Sequence, residues 1–329
     1  MPRITFEGAV YESTGGSVLD CLGRQGVQIP SACRAGVCQS CLMQARDGPV
    51  PARAQEGLTA TMVARKLFLA CQCVPEHDIE IARAVGALVT LAAQVLSVAR
   101  LAPDVVALRL APAGPYAYRA GQFLRLYRDP QTARNYSLAS VPGADPILEL
   151  HIRRIAGGAV SGWVFEHLAP GDPVIISEAS GNCFYVPGKP EQNLLLLATG
   201  TGVAPLAAIA RDALRCGHQG QIRLYHGSPT AAGAYLEPAL QSLAARHPQF
   251  SYRHCVSEGE PAPGQFAGTP PQVALRDQPD LAGWRVYLCG NPGMVDAARI
   301  DVFLAGAASG QIHADPFVAS AGDPVAAAA

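Results

Sequence analysis

Three cysteines, Cys33, Cys38 and Cys41, are separated by four and then two intervening residues, and a fourth, Cys71, follows thirty positions later. This is the ligand spacing of a 2Fe–2S cluster of the plant type. Thiolates suit that work because they are soft donors and carry the charge that ferric iron and bridging sulfide require. The intervening loop is built for close approach. Ala32, Ala35 and Gly36 leave room for backbone N–H groups to reach sulfur, and Gly36 permits a positive φ. A zinc site drawn from Cys38, Cys41, Cys71 and Cys73 is the competing reading, together with unliganded buried thiols. Zinc would leave Cys33 idle and would not require the four-residue gap, so the spacing favours iron and sulfide. Cys21 and Cys73 fall outside the pattern and read as small buried apolar residues.

Composition sets the frame for that site. A chain of 329 residues, 49% of them apolar, has enough material for two or three domains with their own cores. A net charge of −1 and a pI near 6.7, with no Lys/Arg-rich run, provide no field for nucleic acid. Neither a signal-peptide pattern nor a membrane-length apolar run is present, so a cytoplasmic protein is expected, with cysteines as ligands and free thiols rather than disulfides.

The elements that must position the cluster come first in the chain. Alternation from Ile4 to Val10 reads as a strand, Ser17 caps a short helix carrying Val18, Leu19 and Leu22 and stopping at Gly26, and strands return at Leu42 to Arg46 and Asp78 to Ala82. These make a compact β-grasp-like unit over residues 1–84, with Ala84 to Ala87 as linker. From 88 to 187 short apolar runs (Val105 to Leu110, Phe123 to Tyr127, Ile147 to Ile152, Pro173 to Ser177) separated by Pro and Gly imply a β-sandwich or barrel. Within it lie Arg134-Asn135-Tyr136-Ser137 and a glycine turn leading through Gly158, Ala159, Val160 and Ser161 into a helical pattern. A phosphate would be stabilised at that helix N-terminus. From 193 to 318 strands and helices alternate. The apolar run Leu194 to Thr199 turns at Gly200-Thr201-Gly202 into a helix from Pro205 to Arg215. Strands are expected at Ile222 to His226, Phe250 to Val256 and Arg285 to Cys289, and helices at Leu236 to Arg246 and Met294 to Leu304. This is a parallel α/β nucleotide-binding pattern. Residues 319–329 form an Ala-rich tail.

In this order the motifs resemble the reductase components of bacterial multicomponent oxygenases, such as benzoate dioxygenase reductase, phenol hydroxylase reductase and soluble methane monooxygenase reductase. The resemblance spans residues 3 to about 317. It implies a multi-domain α+β, β and α/β chain: a β-grasp ferredoxin domain (1–84), an antiparallel β-barrel that binds FAD (88–187) and a parallel α/β domain that binds NAD(P) (193–318). It further implies that Arg134 contacts the FAD pyrophosphate beside Asn135, that Tyr136 stacks on the isoalloxazine, and that Ser137 sits near flavin N5. Gly158 to Ser161 would bind flavin phosphates. Gly200, Thr201, Gly202 and Pro205 would hold the dinucleotide, Cys289-Gly290-Asn291-Pro292 would border the nicotinamide, and Ala314 to Phe317 would cover the flavin. Three departures stand out: Gln39 where glycine is frequent, Glu178 to Asn182 in place of a Gly-Pro-x-Gly turn, and Gly227 to Thr230 without the arginine often found there.

The mechanism expected from this resemblance runs from NADH to FAD beside Ser137, with Cys289 placing the nicotinamide, then singly to the cluster on Cys33, Cys38, Cys41 and Cys71, and on to a partner. NADH is expected over NADPH because no Arg or Lys occurs between Arg223 and Arg246 to receive a 2′-phosphate. The expected acceptor is a terminal oxygenase or hydroxylase. A sugar-deoxygenation dehydratase partner, or a ferredoxin carrier with an inactive flavoprotein half, are the alternatives. A hydrolase built on Ser161 has no supporting motif, since Gly-x-Ser-x-Gly is absent.

Overall fold

A computed structural model describes residues 1–13, 15–27, 29, 31, 34–36, 39, 41–84, 89–130 and 132–318. The expected ligands Cys33 and Cys38, most of the expected linker and the tail 319–329 lie outside the described residues. The chain divides into two compact units, Met1–Thr90 and Leu91–Phe317.

The first unit is a five-stranded mixed sheet with two short helices. Its elements are β1 (Arg3–Phe6), β2 (Ala9–Glu12), α1 (Val18–Arg24), β3 (Leu42–Asp47), α2 (Ala60–Ala64), β4 (Leu67–Leu69) and β5 (Ile79–Arg83), and the sheet order is β2-β1-β5-β3-β4. Ser17 caps α1 as expected, its hydroxyl accepting from the Asp20 N–H at 3.2 Å. Val18, Leu19 and Leu22 then pack into one core with Ile4, Phe6, Phe68 and Ile81. The expected single strand from Ile4 to Val10 is divided into β1 and β2 by a turn at Glu7–Gly8, and β4 and α2 are too short to show a period in the sequence.

The second unit begins with an antiparallel six-stranded sheet of β6 (Thr90–Ala102), β7 (Val105–Pro112), β8 (Phe123–Tyr127), β9 (Ala133–Ser137), β10 (Leu148–Arg153) and, after helix α3 (Ala159–Glu166), β11 (Pro173–Ser177). The order β10-β7-β6-β11-β8-β9 leaves β10 and β9 at its margins, and a Leu138–Leu150 bridge joins them, closing the sheet into a barrel.

The same unit continues as a parallel sheet. Its strands are β12 (Leu194–Thr199), β13 (Ile222–Ser228), β14 (Phe250–Val256), β15 (Phe266–Ala267), β16 (Arg285–Gly290) and β17 (Ile312–Pro316). The helices are α4 (Val203–Arg215), α5 (Glu237–Arg246), α6 (Pro270–Asp277) and α7 (Pro292–Leu304). All pairings are parallel in the order β15-β14-β13-β12-β16-β17. Leu194, Leu196 and Ala198 face one core while Leu195 and Leu197 face another, which is why β12 is apolar without alternation. Two helices start earlier than expected. α4 begins at Val203 and carries Pro205 in its first turn, and α7 begins at Pro292 behind an Asn291 cap whose side chain accepts from Met294 N–H. Proline in a first turn forfeits no intrahelical bond. Helix α6, missed in the sequence, carries a capping box between Thr269 and Gln272.

Candidate functional site

Strand β12 is where the sheet order reverses, because its chain neighbour β13 lies on one side and β16 on the other. The crevice at the carboxyl ends of such strands is the usual ligand site of an open α/β sheet. Two loops border it: Gly200-Thr201-Gly202, a 3₁₀ turn leading into α4, and Gly290-Asn291-Pro292 leading into α7. They meet backbone to backbone. A Cβ on Gly202 would lie 2.5 Å from the Cys289 carbonyl oxygen, one on Gly290 (φ +121°) would lie 2.4 Å from that of Thr199, and Asn291 N–H donates to Thr199 Oγ1 at 2.8 Å. Pro205 is buried within α4. The orphan N–H groups of two helix starts thus open on one crevice.

Ser137, Cys289 and Asp315 come together at its floor from β9, β16 and β17. Ser137 Oγ–H donates to Asp315 Oδ2 at 2.6 Å, and the Cys289 thiol lies 3.8 Å from the same oxygen. All three side chains are buried. Burial pushes the Asp315 carboxyl up to about 6 against the pull of its two donors, and burial also holds the Cys289 thiol protonated. Asp315 was not singled out as a site residue in the sequence; its only signal there was membership of the Ala314–Phe317 segment. Phe317 follows it, half-exposed, with its N–H donating to the Gly290 carbonyl at 2.7 Å.

Arg134, Asn135 and Tyr136 precede Ser137 on β9 and are half-buried, Tyr136 packing on the barrel core. Arg125 lies opposite Asn135 in the β8–β9 ladder and reaches its Oδ1 at 3.4 Å. Gly158 caps α3, and an added Cβ there would lie 2.5 Å from Ser161 Oγ and 3.0 Å from Ile155 Cβ, so a larger residue would have to turn the Ser161 side chain aside. Ser161 turns inward, accepting from Ile155 N–H at 3.1 Å. Ala159 and Val160 form the first turn of α3, and Arg128 donates to the Ala159 carbonyl at 3.4 Å, placing a cation at the start of that helix that the sequence motifs do not mark. The unusual turn Glu178 to Asn182 is held firmly. Ser180 and Phe123 exchange two backbone hydrogen bonds, and Gln122 donates to the Gly181 carbonyl.

Barrel and parallel sheet also interlock. Gly121 (φ +93°) would place a Cβ 2.5 Å from the Cys183 carbonyl oxygen and 2.6 Å from Ile209 of α4. His151 of β10 bonds Tyr235 at 3.1 Å and Glu149 at 2.9 Å, and the Glu149 carboxyl is held down to about 2, first by His151 and then by Arg109. Arg153 of β10 lies over the Gly200 turn, its guanidinium 3.5 Å from where a Gly200 Cβ would stand.

In the first unit, Cys41 and Cys71 stand at one end of the β3–β4 ladder, where Leu42 pairs with Leu69 and Ala70 N–H donates to the Cys41 carbonyl. Three described residues of the cysteine loop, Arg34, Gly36 and Gln39, adopt positive φ, as a loop folded tightly round a ligand requires. A Gly36 Cβ would crowd Gln72, whose amide donates to the Arg34 carbonyl and lies 3.6 Å from Cys71 Sγ. Cys41, Cys71 and the Gln72 amide beside the Cys71 sulfur fit one side of a thiolate-held cluster. Cys73 packs into the core of this unit, its thiol fully buried and pushed up to about 12 by desolvation.

The fold and site define a three-cofactor redox protein, and comparison with known proteins agrees. The family described as "2Fe-2S iron-sulfur cluster binding domain" matches residues 5–76, "Oxidoreductase FAD-binding domain" residues 92–185, and "Oxidoreductase NAD-binding domain" residues 196–299. The reductase subunit of an aromatic O-demethylase from an Amycolatopsis species is 37% identical, covering 86% of this chain and 88% of its own. The naphthalene 1,2-dioxygenase system ferredoxin–NAD(P)(+) reductase component of Pseudomonas putida is 35% identical over 93% and 94%. The CDP-6-deoxy-L-threo-D-glycero-4-hexulose-3-dehydrase reductase of Yersinia pestis is 30% identical over 95% and 97%. Among solved structures, Amycolatopsis cytochrome P450 reductase GcoB superposes with a TM-score of 0.69 at 33% identity, covering 96% of this chain and 99% of that one. The chain belongs to the iron–sulfur flavoprotein reductases that join 2Fe–2S, FAD-binding and NAD-binding domains in one polypeptide. Among the described residues no helix is long and apolar enough to cross a membrane.

Proposed function

We propose that the chain carries reducing equivalents from NADH, through FAD and a 2Fe–2S cluster, to a separate electron-accepting protein, in the first instance a terminal oxygenase or hydroxylase. The observation that carries this reading is the convergence of Ser137, Cys289 and Asp315 where the barrel meets the switch point of the parallel sheet. When bound, the cofactors supply the redox chemistry: the nicotinamide gives two electrons together, the flavin exchanges two or one, and the cluster passes one at a time.

The chain's own residues bind, orient and exclude water. Arg134 and Arg128, with the Gly158 to Ser161 turn, supply the cationic, N–H-rich surroundings that a flavin pyrophosphate needs. Tyr136 offers the aromatic face, with Asn135 beside it. Gly200, Thr201, Gly202 and Pro205 form the dinucleotide turn, and Cys289 to Pro292 the wall against the nicotinamide. Ser137 Oγ–H and the Cys289 thiol both point at Asp315 Oδ2, stabilising its ionised form, whereas burial favours the proton; a carboxyl near 6 can therefore hold or release a proton close to neutral pH. Cys33, Cys38, Cys41 and Cys71 are the cluster ligands in this reading.

Preference for NADH is supported by the loop after β13. Ser228 there donates to the Thr230 carbonyl, and the nearby arginines are engaged elsewhere, Arg253 with Asp277 and Arg276 with the Ala267 carbonyl. The Yersinia relative keeps a second partner in view, a dehydratase acting on a nucleotide-linked sugar. Anaerobic titration of the purified protein with NADH, followed by absorption and electron paramagnetic resonance, tests the chain of carriers: flavin bleaching and then a reduced-cluster signal are expected, and a protein without either chromophore would refute it. Electron delivery to purified oxygenase and to dehydratase distinguishes the two partners.

A further inference from the structure

Strands β13 and β14 each place a histidine in the sheet core at the same level: His226 pairs in register with His254, and neither is more than 1% exposed. Imidazole is a costly occupant of an apolar core unless both ring nitrogens are used or one hydrogen bond is indispensable. Here each ring reaches up to a different loop at the crevice. His226 Nε2 lies 3.0 Å from the Gly200 carbonyl, and a carbonyl can only accept, so Nε2 carries the proton. Its Nδ1 then accepts from the Tyr252 hydroxyl at 3.3 Å. His254 Nε2 lies 2.7 Å from Ser228 Oγ, whose own proton goes to the Thr230 carbonyl at 2.7 Å, so His254 must also donate. The rings are 5.4 Å apart; burial, reinforced by that proximity, pushes His226 down to about 3, and burial lowers His254 as well.

Both are therefore neutral donors locked in one tautomer, and each fixes a peptide or hydroxyl that borders the crevice. In a planar trans peptide the N–H points opposite to the C=O. Drawing the Gly200 carbonyl inward turns the Thr201 N–H outward, toward the place of a phosphate at the start of α4. His254 likewise closes the Ser228–Thr230 loop, which follows the second strand of the nucleotide fold, where the adenosine ribose is read. We propose that His226 and His254 are paired positioning residues for the pyridine dinucleotide, His226 setting the phosphate-facing glycine turn and His254 the ribose-facing loop. This rests on the nucleotide-binding reading above and assigns to two core residues a role in affinity.

The test is equilibrium binding of NAD⁺ and ADP-ribose to the oxidised holoprotein by calorimetry. His226→Phe and His254→Phe keep a ring and remove the donor, and each is expected to weaken both ligands about tenfold while flavin and iron content stay at wild-type levels. His226→Gln, whose amide offers an N–H at similar reach, is expected to recover affinity to within about threefold. Should the Phe variants fail to fold, Tyr252→Phe, which removes only the hydroxyl that donates to His226 Nδ1 and holds the ring in place, is expected to weaken NAD⁺ about threefold. Binding within twofold of wild type in folded Phe variants, or in Tyr252→Phe if those do not fold, overturns the inference alone. A wild-type protein that binds neither ligand overturns the nucleotide site together with it.

Discussion

The Ser137 hydroxyl donates to Asp315 Oδ2 at 2.6 Å across 178 positions of chain, joining the last residue of a barrel strand to the edge strand of the parallel sheet. A donor to a buried carboxylate is worth about 1.5–3 kcal/mol, so Ser137→Ala is expected to slow NADH-driven flavin reduction by roughly 10–100-fold with flavin still bound. Stopped-flow absorbance checks this. An unchanged rate would remove the pair from the reaction.

Asp315 also makes stability depend on pH. Its folded carboxyl, near 6, lies above the usual 3.8, so the native state binds the proton more tightly. Stability is complete below pH 3.8 and is lost as the pH rises through about 6, by at most roughly 3 kcal/mol. Asp315→Asn, which keeps an acceptor for Ser137, is expected to melt higher than wild type at pH 8 and to lose that advantage at pH 4. Equal differences at both values would contradict the assignment.

Gly202 tests the contact between the two loops. A Cβ there meets Cys289 O, Cys289 C and Gly290 N at 2.5–2.8 Å, all backbone atoms. Gly202→Ala is expected to cost about 1–3 kcal/mol and to weaken NAD⁺ binding, because the loops must part. Gly23→Ala, in a helix with open space around it, is expected to gain about 0.5–1 kcal/mol instead. Thermal melting and calorimetry report both.

For the cluster, Cys71→Ser is expected to abolish the reduced-cluster resonance and lower bound iron while NADH still bleaches the flavin. Retention of a native signal and full iron would exclude Cys71 as a ligand.

Gln39 is a non-glycine residue at φ +54°, buried, with its amide donating to the Gly57 carbonyl at 3.1 Å. The left-handed conformation costs about 1–2 kcal/mol outside glycine and the hydrogen bond returns about 1. Gln39→Ala should therefore destabilise the first unit by about 1 kcal/mol, whereas Gln39→Gly should be nearly neutral. Iron release under mild denaturant ranks the three proteins.

Nucleotide choice is a further check on the loop after β13. A ratio of kcat/KM favouring NADH over NADPH by tenfold or more is expected, and Thr230→Arg should narrow it by supplying a partner for the 2′-phosphate. Faster turnover with NADPH in wild type would overturn the reading.

What sequence alone could determine were features carried by neighbours in the chain: the Cys33–Cys38–Cys41 spacing, the Ser17 cap, the unbroken apolar run Leu194 to Ala198, and glycines where backbone must pass close. These depend on local sterics and short-range periodicity, which a linear text preserves. Only the tertiary structure decided that β12 stands at the reversal of strand order, that Asp315 meets Ser137 and Cys289, and that His226 lies level with His254. Each of those pairs is separated by at least 26 residues: register joins Cys289 to Asp315 and His226 to His254, while Ser137 reaches Asp315 from a strand of the other sheet, and such long-range pairing and packing leave no local signal.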